Sequence, residues 1–501
     1  MPSTSSGIRW MTSCLSCISF LLSQRLKCTT CYVAGSTQTG LASNMHASVW
    51  TLLARRCNGH GLLPNIWKLD AMGISLTDVA PVTLLFAPSM RDVHLAFDDT
   101  SKPVSQTALS PVASALFDEL VNIAGPHLTE LWLFRRFPLA PSRISAFEAC
   151  RNLRHLLLVD LDTVFDIRGI RLLEQLGPLL SLALTIRLDD SQSAVTELHL
   201  DTGFPALTGL WVCGSAPDVA KFVPAARPVA LHTFDMAITG STDMSSLQRC
   251  SADVGAHLPR TVREFRLAAK DVSRRSPTAS LGDLLRPFYP QKRMRSVTFD
   301  LDDHVPHTSD DDLRELAQAW PRLDYIRVGG GAVVHPDVRI LAALRRPTVR
   351  GLVELAQHCP RIRAIDLPVL DTTHLPSRDA IPVLGRTRAK HLRLSWVSST
   401  DKRMHFDLAV LLDRLFPNLE GITIAAAGQE VPGKKMYQIL EAMQMGRKHA
   451  RLLGKDRGTG MLASGEGDEG DEDEDEDEDD EDREEEDATQ GCSDTATIRV
   501  A

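Results

Sequence analysis

The sequence predicts an α/β solenoid, and three observations predict it. The first is a strand-sized cassette: apolar, two residues, apolar, one residue, apolar. It appears in HLTELWL (Leu128, Leu131, Leu133), NLRHLLL (Leu153, Leu156, Leu158), RLDYIRV (Leu323, Ile326, Val328), RIRAIDL (Ile362, Ile365, Leu367) and NLEGITI (Leu419, Ile422, Ile424). Residues spaced by two share one face of a strand, and a single such unit cannot bury that face alone. The second is a proline two residues before the first apolar position, at Pro126, Pro205, Pro321, Pro360 and Pro417. The third lies upstream of that proline, where apolar residues fall at helical spacing. Val112, Leu116, Leu120 and Ile123 form one stripe, and Leu313, Leu316, Ala317 and Trp320 form another, with Ser309 or Asp310 placed to cap it. Proline cannot continue a helix. Each unit therefore reads helix, proline stop, buried strand, loop, with parallel strands on the concave side and helices on the convex side.

Taken in order, residues 1–48 are expected to be a poorly defined extension. The stretch WMTSCLSCISFLL (10–22) follows Arg9 but is shorter than the roughly 20 residues that span a bilayer. The flank SQRLKCTTC has no clean small-x-small cleavage site. Cys14-x-x-Cys17 and Cys28-x-x-Cys31 have a spacing that suits tetrahedral zinc, yet neither pair is followed by glycine, and an extension without metal is the expectation.

Residues 49–447 are expected to form the solenoid. Thirteen cassettes end at Leu95, Leu133, Leu158, Leu184, Leu200, Val212, Met236, Leu267, Phe299, Val328, Leu367, Leu394 and Ile424, a mean step of about 27 residues. This is the repeat core and length of an irregular leucine-rich-repeat solenoid. The step from Leu200 to Val212 is only 12 residues, so one of the two is a chance match. LPNIWKL (63–69) reads as a degenerate earlier unit, and the helical stretch 436–457 as the cap that a solenoid needs at its end.

Residues 448–501 are expected to be a disordered acidic C-terminal tail. From Glu466 to Asp487 there are 19 acidic residues and one arginine, so the net charge of −9 is the sum of a tail near −18 and a mildly basic body. The ten cysteines follow no framework and there is no Asn-x-Ser/Thr acceptor, which points to a reduced compartment, cytoplasmic or nuclear.

Enzyme constellations are not found. No GxxxxGK[ST], GxSxG or HExxH occurs, Gly329-Gly330-Gly331 reads as a turn, and His304 and His307 beside Asp302 and Asp303 read as a polar loop. The chain is expected to be no enzyme, with no cofactor, no metal, no membrane contact and no direct nucleic-acid contact.

Units such as LVELAQHCPRIRAIDL, LRELAQAWPRLDYIRV and FPALTGLWVCGSAPDVAKFV resemble the leucine-rich repeats of F-box proteins, of the large divergent kind found in mushroom-forming fungi (basidiomycetes). The resemblance covers roughly residues 50–445. It implies a substrate receptor of an SCF-type ubiquitin ligase, with a protein target on the repeats and a Skp adaptor on an F-box. Residues 1–60 hold no recognisable F-box, since the Leu-Pro opening of that module is missing and Trp50 stands alone. Repeats with an acidic tail also resemble nuclear proteins that bind basic partners such as histones, and the Ran GTPase-activating proteins.

The cassette's middle residue alternates away from the core, onto the concave face. On that basis the protein-binding candidates are Trp132, His199, Trp211, Arg266, Arg327 and Arg393, which put two aromatic anchors in the first half and a basic stripe in the second.

Overall fold

A computed structural model of the protein describes residues 30–34, 52–53, 55, 62–74, 79–97, 106–134, 137, 139, 141–159, 164–188, 198, 200–273, 279–301, 304–329, 345–384, 387–394, 402–424, 436, 438–447 and 449–450. For residues 30–34, 73, 106–110, 141, 159, 402–403 and 424 it describes the backbone alone. By contact the chain divides into two units, Met1–Gln444 and Met445–Ala501. In the second unit the described residues, 445–447 and 449–450, are helical. The acidic tail lies outside the described residues.

The first unit is built on one parallel sheet of fourteen strands. They are β1 (Thr30–Ala34), β2 (Lys68–Ile74), β3 (Asp92–Phe97), β4 (Glu130–Phe134), β5 (His155–Val159), β6 (Ser181–Thr185) and β7 (Gly209–Gly214), then β8 (Thr233–Ile238), β9 (Glu264–Ala269), β10 (Ser296–Asp300), β11 (Tyr325–Gly329), β12 (Ala364–Leu367), β13 (His391–Leu394) and β14 (Gly421–Ile424). Sheet order equals chain order. Each repeat therefore pairs only with its neighbours, as a leucine-rich-repeat solenoid requires.

Alternation makes these strands. Leu210 and Val212 in β7, and Phe234 and Met236 in β8, turn inward and are at most 2% exposed, while Trp211 and Asp235 between them face the other way. The first apolar position of each cassette is sealed as well: Leu128, Leu153, Leu323 and Ile362 are all fully buried. A second device fixes the pitch. The carbonyl just before each strand accepts two N–H groups from the next repeat. Arg91 O takes Thr129 N at 2.9 Å and Glu130 N at 3.0 Å, and Arg263 O takes Arg295 N at 2.6 Å and Ser296 N at 3.0 Å.

Helices cover the apolar face: α1 (Val79–Thr83), α2 (Gln106–Ala124), α3 (Ile167–Glu174), α4 (Ala216–Ala226), α5 (Met244–His257), α6 (Leu281–Leu285), α7 (Asp310–Ala319), α8 (Val349–His358) and α9 (Lys402–Leu415). The proline stop works as read. α7 and α8 end at Trp320 and Cys359, both fully buried, just before Pro321 and Pro360. Each terminal residue also ties its repeat to the one before. Trp320 Nε1 donates to Phe288 O at 3.3 Å, and Cys359 Sγ donates to Trp320 O at 3.4 Å.

The helix N-termini are stitched across repeats. Ser309 caps α7 in a capping box with Asp312, whose Oδ1 accepts from Ser280 Oγ of the preceding repeat at 3.1 Å. Asp310 reaches forward to α8, accepting from Thr348 N and Oγ1 at 2.7 Å each and from Gly351 N at 3.0 Å. Glycine at 351 leaves room for this contact, since a Cβ there would stand 2.8 Å from both Asp310 Oδ1 and Leu313 Cδ1 and would displace those side chains.

Two expectations are resolved and one changes. Leu200 is buried but belongs to no strand, so it is the chance match of the pair. LPNIWKL does open a strand unit: Ile66, Leu69 and Ala71 form its cassette, all fully buried, with β1 pairing before it inside the segment read as an extension. The layout of helix, stop and strand is also not uniform. Between β4 and β5 the cover is a 3-10 helix, Pro141–Ala149, in place of an α-helix. Near the end of the sheet, Met436 and Leu440 join the core, residues 438–444 are helical, and Gln444 Nε2 donates to Leu419 O at 2.8 Å. Among the described residues no helix is long and apolar enough to cross a membrane.

Candidate interaction surface

Parallel register aligns the cassettes' middle residues into a single row on the open face, opposite the helices. Reading across β2 to β14 the row is Asp70, His94, Trp132, Leu157, Ala183, Trp211, Asp235, Arg266, Thr298, Arg327, Asp366, Arg393 and Thr423. Trp132, Trp211, Arg266, Arg327 and Arg393 all stand on it, the first four half-buried and Arg393 exposed. His199 lies outside the described residues. The rung assigned to it, between Leu157 and Trp211, is held by Ala183.

The row begins in a polar aromatic cluster. The His94 ring stacks on the Trp132 indole with centroids 4.2 Å apart and planes 15° apart, and Phe134 meets Trp132 edge-on at 5.5 Å. His94 Nε2 lies 3.4 Å from Glu130 Oε1, and Nδ1 lies 3.9 Å from Asp70 Oδ2. Burial presses the His94 pKa down, but hydrogen bonding to Asp70 and Glu130 outweighs it and holds the imidazole above its ordinary value. Burial opposes Glu130 too, yet the contact with His94 holds its carboxyl below the usual range. Asp92, next to them, is raised by burial and by the Glu130 charge. Trp132 Nε1 and Asp70 Oδ1 are buried atoms without a hydrogen-bond partner among the described residues.

From Leu157 to Trp211 the row is apolar, and beyond Trp211 it becomes charged. Burial pushes the Asp235 carboxyl up to about 6, with Glu264 adding to the rise and Arg266 opposing it. Asp366 sits between two arginines, 3.6 Å from Arg327 Nε and 3.9 Å from Arg393 Nη1. Burial nevertheless raises its pKa, because desolvation exceeds both attractions. The basic stripe is thus interleaved with acids: Asp235 faces Arg266, and Asp366 braces Arg327 and Arg393.

Sequence reasoning missed the Asp70 and Ala183 rungs. Asp70 follows once alanine is allowed as an apolar member, as in Ile66-x-x-Leu69-x-Ala71, and Ala183 is the middle residue of the cassette that ends at Leu184. The stacking of His94 on Trp132 joins residues 38 positions apart and has no local signal. His304 is buried, and His307 Nδ1 accepts from Arg345 N at 2.9 Å. The side chains of both CxxC pairs lie outside the described residues. Among the described residues, no group of three or more His, Cys, Asp or Glu side chains is placed to hold a metal ion.

No family model matches the chain, and no curated protein matches it. Among solved structures, the chain is similar to the crystal structure of the Rad7 and Elc1 complex in yeast. The TM-score is 0.37 with 13% sequence identity, over 86% of this chain and 94% of that one.

Proposed function

We propose that the open face of the sheet is a protein-recognition surface, and that the chain is the substrate-recognising part of an SCF-type ubiquitin ligase rather than an enzyme in its own right. One observation carries the first half: thirteen consecutive repeats each contribute one side chain to an unbroken, in-register row that includes two tryptophans and three arginines. Tryptophan and arginine are the types most enriched at binding hot spots. The surface is also pre-organised. The His94–Trp132 stack and the Arg327–Asp366–Arg393 bridge hold its side chains before any partner arrives, which reduces the ordering cost of binding.

The ligase half rests on the style of the repeats, with a proline two residues before five of the cassettes. The partners would be a protein target on the row and, where an F-box exists, the Skp adaptor, acting in the cytoplasm or nucleus. Recovery of the adaptor with tagged full-length chain tests this half. For the recognition half, the Trp132→Ala/Trp211→Ala variant and the Arg266→Glu/Arg327→Glu/Arg393→Glu variant are compared with the unaltered chain after each is shown to fold. Partners should be lost in at least one of them, and an identical partner list in both rules the row out. The acidic run Glu466–Asp487 favours a second reading, the binding of basic proteins such as histones. Histone binding that disappears on deleting 466–487 would distinguish it.

A further inference from the structure

A second charged surface lies beside the open-face row. In five consecutive repeats the turn leading into the strand sets basic residues around a buried apolar one, on both sides in four of them and on one side in the third: RTVR (260–263) before β9, KRMR (292–295) before β10, RLD (322–324) before β11, RIR (361–363) before β12 and RAK (388–390) before β13. These turns hold ten basic residues against a single acid, Asp324. The apolar members Val262, Met294, Leu323, Ile362 and Ala389 are at most 1% exposed, so the flanking side chains are directed outward. Arg293, Arg322, Arg363 and Arg388 are all exposed. The turns before β6, β7 and β8 contain one histidine, His232, and no Lys or Arg, so the five-repeat run at β9–β13 is set apart from the basic turns before β3 and β5.

The doubled backbone bonds bring these turns into register, with Arg263 O, Arg295 O, Asp324 O and Arg363 O each accepting from the next repeat. Electrostatics reports the same crowding. The Asp324 carboxyl feels Arg363, Arg295, Arg361 and Arg388, drawn from three other repeats, although burial still raises its pKa. Strands lie about 4.8 Å apart, so five of them carry a strip about 19 Å long, and two residues along the chain make it only about 7 Å wide.

We propose that this strip is a docking surface for an acidic polypeptide segment bound in extended form. Its narrowness suits one extended chain, and a strip of that length takes about six residues, three of them facing the protein. Arginine forks match carboxylates in a bidentate way. The other extended polyanion, single-stranded nucleic acid, is bound by basic grooves that also offer aromatic platforms. None of the five turns contains an aromatic residue.

The test uses the full-length chain and a fluorescein-labelled oligoglutamate peptide, followed by anisotropy across a salt series. The unaltered chain should bind, more weakly as salt rises. The Arg293→Glu/Arg322→Glu/Arg388→Glu variant should lose roughly tenfold or more in affinity, about 1.4 kcal/mol. The control is Arg91→Glu/Arg154→Glu, exposed arginines one residue before β3 and β5 and outside the five-repeat run, which should change affinity by less than about threefold. Should the Glu variant fail to fold, the matching Gln variant serves, with a smaller loss in the same order. Absent binding, equal losses in strip and control variants, or displacement of the peptide by a lower concentration of oligothymidylate would each overturn the proposal.

Discussion

Asp235 shows what a residue concedes to its place on the row. Its register puts a carboxyl between Trp211 and Arg266, where burial lifts its pKa to about 6. Because that value lies above the unfolded 3.8, the protonated form favours folding. That contribution is fully present below pH 3.8 and is lost as pH rises through 6. Asp235→Asn should therefore leave stability unchanged near pH 4 and raise it by about 1 kcal/mol at pH 7.5, after discounting for partial exposure. Urea midpoints at the two pH values check it, and equal gains at both would contradict the burial account. The thiols test the same geometry. Burial pushes Cys150, Cys250 and Cys359 up to about 12, whereas Cys213 is half-buried on the open face. Peptide mapping after maleimide treatment of the native protein should find Cys213 labelled well ahead of those three.

At the scale of the element, the helix N-termini matter most. Asp310 serves the helix of the following repeat, not only its own, and three of its contacts would be orphaned by Asp310→Ala. The expected cost is about 2–3 kcal/mol. Asp311→Ala, one residue on, removes only an exposed ion pair to Arg314 and should cost under about 0.5 kcal/mol. Thermal melts of the two variants compare the losses, and similar losses would deny Asp310 its bridging role. This contrast also marks what the sequence could express. Strands were legible because alternation and the proline stop are local patterns, as in CPRIRAIDL and WPRLDYIRV. The Ser309 cap was legible for the same reason. The reach from Asp310 to Thr348 spans 38 residues, and the His94–Trp132 stack depends on register between repeats. Neither leaves a trace in any short window. The open-face row was legible as a set of positions but not as chemistry, because the bracing of arginines by Asp366 appears only when three strands stand side by side.

At the scale of the whole sheet, neighbours in sequence are neighbours in space, so stability is passed along by adjacent contacts. Hydrogen exchange in rising urea should show the amides of β13 and β14 opening before those of β7–β10, which have paired strands and covering helices on both sides. Simultaneous opening of all strands would show a cooperativity longer than one repeat. The same one-dimensional order acts as a vernier on anything bound along it. Rungs of the open-face row advance by about 4.8 Å, whereas same-face residues of an extended peptide advance by about 6.7 Å, so three rungs nearly match two peptide steps. Trp132 and Trp211 stand three rungs apart. A peptide that seats one side chain on the first tryptophan therefore brings another of the same face to the second, while every rung between falls out of phase. Sequence preference in such a ligand would come as two fixed residues four positions apart, with tolerance in the middle.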